Sequence, residues 1–477
     1  VSTFGGLNTA YTGLQAARAG LDVVGQNIAN ANTDGYTRQR VTTSAANAPI
    51  GLFSGGARVG LGVSVDGIAR LGNANLDAQV RFTAGASGYT AVRGNALSAI
   101  ETSLHEPSKD GLSTQLQEFW GAWGDLSNSA GEQAQSGLLI GQAKNLANQI
   151  AQGYKAVDNQ WTEVRGNVTS MVGELNGAAT QVADLNGRIR TTLAAGGNAN
   201  ELVDQRNTLT TTIAALTGGS VRQLTDGTVD VLVGGNALVS GTTVQQLGVA
   251  GATNMVGAVG SPVQLTWANR PGTPVSVDGG EIAGALSVLA PADAAGTGGA
   301  IAQAAAFYNT FADDLASQVN DIHSTGASST GAINLKFFEI DTTRPAALGL
   351  SVIPKNAAEI ATATFGAGAK DGTIADRIAR LGVAAEDPTK DSPNKVWASF
   401  VTNIGVATKS ELQQANLAGL AATSAVTSQL SNSAVDLDEE NVNLLMFQHA
   451  YQGAARVMTA VDEMLDTLIN RTGLVGR

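Results

Sequence analysis

LNTAYTGLQAARAGLDVVGQNIANANTDGYTRQR, Leu7 to Arg40, decides how this chain is read. Leu7, Leu14, Leu21 and Ile28 recur every seven residues, and Ala10, Tyr11, Ala17 and Val24 fill the positions between. Such a repeat makes the seam of a helix meant for a partner helix. The pattern then stops in a run of turn formers. Asn30, Asn32, Asp34 and Gly35 favour tight turns, because Asn and Asp side chains bond their own backbone and Gly tolerates positive φ. The stretch therefore predicts a helix, a stop and a hinge.

The other end of the chain repeats the device. Phe447, Ala454, Val461 and Leu468 are seven apart. Tyr451, Met458 and Leu465 follow four later, and Ala450, Val457 and Met464 three later. VDLDEEN precedes them, and Asp436 with Glu439 predicts a capping box at an acidic helix start. Either stripe alone describes an ordinary core helix. At both extremes of a long chain they predict that the termini pair, with everything else inserted between them.

Composition sets the limits. A chain of 477 residues, 43% apolar and 14% charged, buries cores and divides into two to four domains. Aromatics are scarce, and abundant Ala and Gly suit long, closely packed helices. The net charge of −12 opposes sequence-independent nucleic-acid binding, which needs a basic face, and docking on anionic lipid. No cysteine is present, so disulfides, thiolate metal sites and cysteine nucleophiles are excluded. No apolar run reaches the length of a membrane span. The first residues lack the basic start and apolar core of a secretory signal, so any export takes another route.

Residues 36–80 read as extended chain or short strands, and 85–217 as helical, with a turn at 196–200 and Asn-Gly pairs at 176–177 and 186–187. From 221 the texture is β, with turns at Asp226-Gly227 and Gly234-Gly235. Helix returns near 280–323, a mixed segment covers 330–397, and a last helical stretch spans 398–432.

Catalytic chemistry is not assembled anywhere. His105, His323 and His449 are far apart, and His449 reads as a surface or subunit-contact residue. Phosphate-loop and nucleophile-elbow motifs are absent, and VGLGVSVDG is an incomplete dinucleotide fingerprint. The cluster Asp436, Asp438, Glu439 and Glu440 lacks calcium-loop spacing and reads as helix capping. The expectation is a protein without metal or cofactor that is not an enzyme.

Three segments carry a resemblance. GLQAARAGLDVVGQNIANANTDGYTRQR, Gly13 to Arg40, resembles the N-terminal signature of bacterial flagellar axial proteins, the rod, hook and hook-associated group. The extension Thr37-Arg38-Gln39 points within that group to the hook-associated proteins of the hook–filament junction. ELVDQRNTL, 201–209, with the strand pair DGTVDVLVGGNALVSG after it, is similar to the central segment of that subgroup. VDLDEENVNLLMFQHAYQGAARVMTAVDEMLDTLI, 435–469, resembles its C-terminal helix. The likeness weakens across 242–275 and 330–397. Gly25-Gln26 stands where a Ser or Asn pair is common, which predicts a weaker last helical turn.

The resemblance implies a mainly α fold with inserted β. The terminal helices, 1–35 and 438–477, pair as an inner coiled coil. A helical, rod-like bundle domain takes 36–217, 279–329 and 398–437, and a small β-rich, mixed region takes 218–278 and 330–397. It implies a structural subunit that joins hook to filament outside the cell and leaves by the flagellar type III pathway. The implied partners are the hook protein, the second hook-associated protein, further copies in a helical tube, and an export chaperone on the C-terminal helix. Neither nucleic acid nor membrane insertion is implied. Assembly is expected at Leu7, Leu14, Leu21, Ile28, Phe447, Ala454, Val461 and Leu468, with the hinge at Asn30, Asn32, Asp34 and Gly35. Two alternatives stay open: another axial subunit of hook or rod, and an enzyme hidden in the insert.

Overall fold

The computed structural model describes residues 3–46, 60–293 and 298–471. Parts of the predicted spans, 1–2, 472–477 and 47–59, lie outside the described residues. Helix α1 spans Thr3–Ala29 and leads to a hairpin of β1 (Gln39–Ala45) on β2 (Val63–Arg70). Helices α2 (Ala74–Ser103), α3 (Leu112–Asn128), α4 (Gln133–Ala194) and α5 (Asn200–Thr217) follow. The β texture resolves into two antiparallel sheets. One holds β3 (Ser220–Gln223), β4 (Val229–Val233), β5 (Asn236–Ser240) and β6 (Thr243–Val244). The other holds β7 (Leu247–Ala250), β8 (Gln264–Trp267) and β9 (Arg270–Val275). Helices α6 (Gly280–Leu289) and α7 (Ala300–His323) come next. The mixed segment contains β10 (Gly326–Ser328), β11 (Phe338–Ile340), α8 (Ala346–Gly349), β12 (Leu350–Val352), β13 (Ala361–Thr364) and α9 (Thr373–Arg380). Helix α10 (Pro393–Ser433) and helix α11 (Leu437–Asp466) close the fold, with a π turn over Thr467–Arg471.

The chain is mainly α with small antiparallel sheets and long helices at both termini. Helix α4 is the spine. Its 62 residues rise about 93 Å at ~1.5 Å per residue. Leu139, Leu146, Ile150, Val157 and Trp161 are fully buried along it, at the three-to-four spacing of a core face. Many of the few aromatics gather in two clusters, one of them Phe307, Tyr308, Phe311, Trp397 and Phe400. Phe119, Trp123, Phe337 and Phe338 are buried together, and Trp123 and Phe337 have ring centroids 4.9 Å apart. Helix α10 begins at Pro393, earlier than the expected 398, because Ser392 caps the Lys395 N–H and Pro393 occupies the first turn. The Gly25-Gln26 departure leaves no mark, since α1 runs unbroken to Ala29.

Asparagines fasten the strands to the helices. Asn176 on α4 donates to the Leu247 carbonyl at 2.8 Å and accepts from the Leu247 N–H at 2.9 Å. Ten residues on, Asn186 does the same to Val229, at 2.8 and 3.1 Å. Asn320 on α7 holds Phe338 at 2.9 Å in both directions. Each side-chain amide stands in for a neighbouring strand and satisfies backbone groups that a sheet edge leaves open. The Gly234-Gly235 turn has φ of +53° and +76°, the conformation a two-residue hairpin loop requires. The two sheets dock on the C-terminal half of α4. The mixed segment docks at the other end, where Gly131 meets Ala369 and Gly372 meets Ser127.

Helices α2 and α10 run side by side away from this core. Arg93 pairs with Glu411 at 2.5 Å, and Gln429 donates to Asp77 at 2.6 Å. That pair delivers the chain to the start of α11, beside the end of α1.

Candidate assembly interface

Helices α1 and α11 pack antiparallel in a strict heptad register. A Cβ added at Gly6 would lie 3.7 Å from Val461, and one at Gly13 would lie 3.9 Å from Ala454. One at Gly20 would sit 2.5 Å from the Phe447 ring, far inside contact distance. The next step of the ladder is polar: Asn27 donates to Glu440 at 3.2 Å. The glycines let the two backbones approach, and α11 fills the space with graded side chains. Ala10, Ala17 and Val24 are buried beside the glycine column.

The predicted residues divide accordingly. Phe447, Ala454 and Val461 meet α1. Leu7, Leu14, Leu21 and Ile28 do not form the central column; they are half-buried at its flank. Gly6, Gly13, Gly20 and Asn27, rather than the bulky residues beside them, form the column. Their own seven-residue repeat was the available signal. The three-later and four-later series of α11 also separate. Met458 and Leu465 are half-buried and Tyr451 is 38% exposed, whereas Ala450 is exposed and Val457 and Met464 are each 51% exposed. Val442, Met446 and Leu468 are exposed as well. Helix α11 thus presents a second apolar face beside the one that α1 covers.

The ladder ends in a locked polar joint. Asn27 is 1% exposed and its amide is saturated. It donates to the Gln39 carbonyl at 2.9 Å and to Glu440, and accepts from the Gln39 N–H at 3.0 Å and the Tyr36 hydroxyl at 2.9 Å. Arg38 bridges Glu440 at 2.7 Å and Glu439 at 2.6 Å. The Arg38 N–H donates to the Ser433 carbonyl at 2.9 Å, and Thr37 N–H to Asp204 at 2.9 Å. Asp204 also holds Arg70. Burial, with Glu201, Asp204 and Glu440 nearby, pushes the Tyr36 hydroxyl up to about 12, so it remains a donor. Segments from α1, α5, α10 and α11 therefore meet around residues 36–40.

The turn itself spans residues 30–35. Thr33 N–H donates to the Asn30 carbonyl at 2.9 Å, and Gly35 has φ +79° with Thr208 close behind it. Asn32 and Asp34 are exposed and Asn30 is half-buried. Asp436 caps α11, accepting from the N–H groups of Asp438 and Glu439. The reciprocal half of the expected capping box is not formed. Glu439 turns to Arg38 instead, because a charge-assisted bond outcompetes a second backbone bond. His323 is fully buried, its Nδ1 2.8 Å from the Leu335 carbonyl and its Nε2 accepting from the Ala361 N–H at 2.9 Å. It is a structural residue. His449 is exposed. Among the described residues no three His, Asp or Glu side chains are placed to hold a metal, and no helix is long and apolar enough to cross a membrane.

Comparison with known proteins follows this geometry. The family model for flagella basal body rod proteins matches residues 7–37, and the C-terminal model of the flagellar basal body rod FlgEFG proteins matches 427–471. These two cover α1 and α11 and define the class: a structural subunit of the bacterial flagellum. The model for the helical domain of the flagellar hook-associated protein FlgK matches 97–338, just over half of the chain. The chain belongs to the flagellar hook-associated protein FlgK family, a structural component of the hook–filament junction. It is 29% identical to flagellar hook-associated protein 1 of Bacillus subtilis over the full length of both chains. It is 27% identical to that of Escherichia coli, over 97% of this chain and 99% of the relative. In fold it is similar to the flagellar hook junction protein FlgK of Burkholderia pseudomallei. The TM-score there is 0.63 at 13% identity, covering 74% of this chain and all of the other.

Proposed function

We propose that copies of this chain assemble into a short helical tube through the α1–α11 layer, between hook protein on one side and the second hook-associated protein on the other. The observation that carries this is the second apolar face of α11, where Val442, Met446, Val457 and Met464 stand more than half exposed beside a face already covered by α1. Exposed apolar faces of this kind mark interaction sites. Leu7, Leu14, Leu21 and Ile28, half-buried on the flank of α1, are a second part of the proposed contact. Contacts that are not self-complementary and do not close make helical tubes. Residues 36–40 then anchor the inner layer to the outer helical bundle, and the turn at Asn30–Gly35 is the hinge between them.

The same α11 face suits an export chaperone, which shields it before assembly, and secretion by the flagellar type III route fits this role. The role is structural rather than enzymatic, as in its family. The test adds the full chain to isolated hooks and images their ends by electron microscopy. A short cap at the distal end is expected. Bare hook ends, or self-made rods without hooks, overturn the junction assembly.

A further inference from the structure

We propose that the cleft between the α4–α5 turn and the β3–β6 sheet binds a carboxylate, with Arg206 as its cation. Asp204 and Arg206 lie two apart on α5 and so face different directions. Asp204 is spent on Arg70 and Thr37. Arg206 turns inward, 5% exposed, and its Nη1 donates to Asn186 Oδ1 at 2.9 Å and to the Gly227 carbonyl at 2.8 Å. Both acceptors are neutral. Its Nε is buried without a hydrogen bond. Among the described residues no carboxylate forms an ion pair with it. Burial first, and the Arg70 charge second, push its pKa down to about 10.

A buried, unpaired charge is among the costlier features a fold carries. Here it persists in a chain with 40 acidic residues. Arg206 forms part of the wall of a cleft of about 640 Å³, with Leu193, Gly197, Asn198 and Thr228. Among the described residues Asp66 is the one acid on that wall, and its carboxylate accepts from the Ser44 hydroxyl. The cleft therefore has room and a fixed cation, and its described acid, Asp66, forms no ion pair with Arg206. A planar guanidinium offers a carboxylate parallel N–H donors in a matching geometry. The carboxylate has two possible sources, a free organic acid or an Asp or Glu side chain of a neighbouring copy.

The test melts the full chain in sodium acetate and in sodium chloride at equal ionic strength. A saturable rise of roughly 3 °C in acetate alone is expected, and it should vanish in Arg206→Gln. Because that change also removes two structural hydrogen bonds, Leu193→Glu provides the second variant. Leu193 is 46% exposed, and a glutamate there supplies the missing charge. L193E should melt above wild type in chloride and ignore acetate. Identical melting in both salts, or an L193E chain that melts lower, overturns the proposal. If saturating acetate also blocks the capping of isolated hooks, the source is a neighbour's side chain; undisturbed capping assigns a free acid.

Discussion

Gly20 is the tightest point of the α1–α11 ladder, since any side chain there meets the Phe447 ring. Gly20→Ala should separate α1 from α11 and cost about 1–3 kcal/mol, as overpacking does. Hydrogen exchange in both helices reads the loss. Phe447→Ala in the same chain should restore most of it, and failure of that rescue would show that the ring is not the obstacle. His323 makes a different prediction. Burial pushes its pKa down to about 4, against an unfolded value near ~6.5. Below pH 6.5 the unfolded chain takes up a proton that the folded chain refuses. The contribution is therefore whole above pH 6.5 and is lost as pH falls towards 4, on the order of 3 kcal/mol. Gln keeps one donor and one acceptor without titrating. The urea midpoint of His323→Gln should fall less than that of wild type between pH 7.5 and pH 4.5.

At the level of elements, the start of α11 depends on a residue from the far end of the chain. Glu440 is 1% exposed and is neutralised by Arg38. Arg38→Met should leave that carboxylate buried and unpaired, at about 3–5 kcal/mol, with exchange rising first at the joint. Little change in exchange there would mean that Asn27 alone carries it. The elements themselves were largely legible. Heptads, the Gly-Gly turn and Asp436 are local signals, and they place α1, α11, the β4–β5 hairpin and the α11 cap. The joint was not legible, because Asn27, Arg38, Asp204 and Glu440 come together only through pairing across the length of the chain. The Asn-Gly pairs were visible as oddities inside a helix. That Asn176 and Asn186 mimic a strand became evident only once a sheet lay beside α4.

For the whole molecule, the α1–α11 pair and the helical bundle meet through residues 36–40 and the α10–α11 corner. Charges on the uncovered α11 face should therefore act on assembly and not on folding. Val457→Glu with Met464→Glu is expected to leave the melting temperature within about 2 °C and to abolish hook capping. A doubly substituted chain that still caps hooks would move the contact elsewhere. A charge at Val461, which is buried against Gly6, should instead disturb the pair within one chain. The antiparallel ladder has a further consequence for synthesis. Helix α1 is synthesised before α11, so Gly6, Gly13 and Gly20 wait for partners that arrive more than 400 residues later. A chain that stops before Leu437 lacks α11 and keeps an open glycine groove. The fold thereby acts as a length check, in which α1 stays open until the chain has been made through α11.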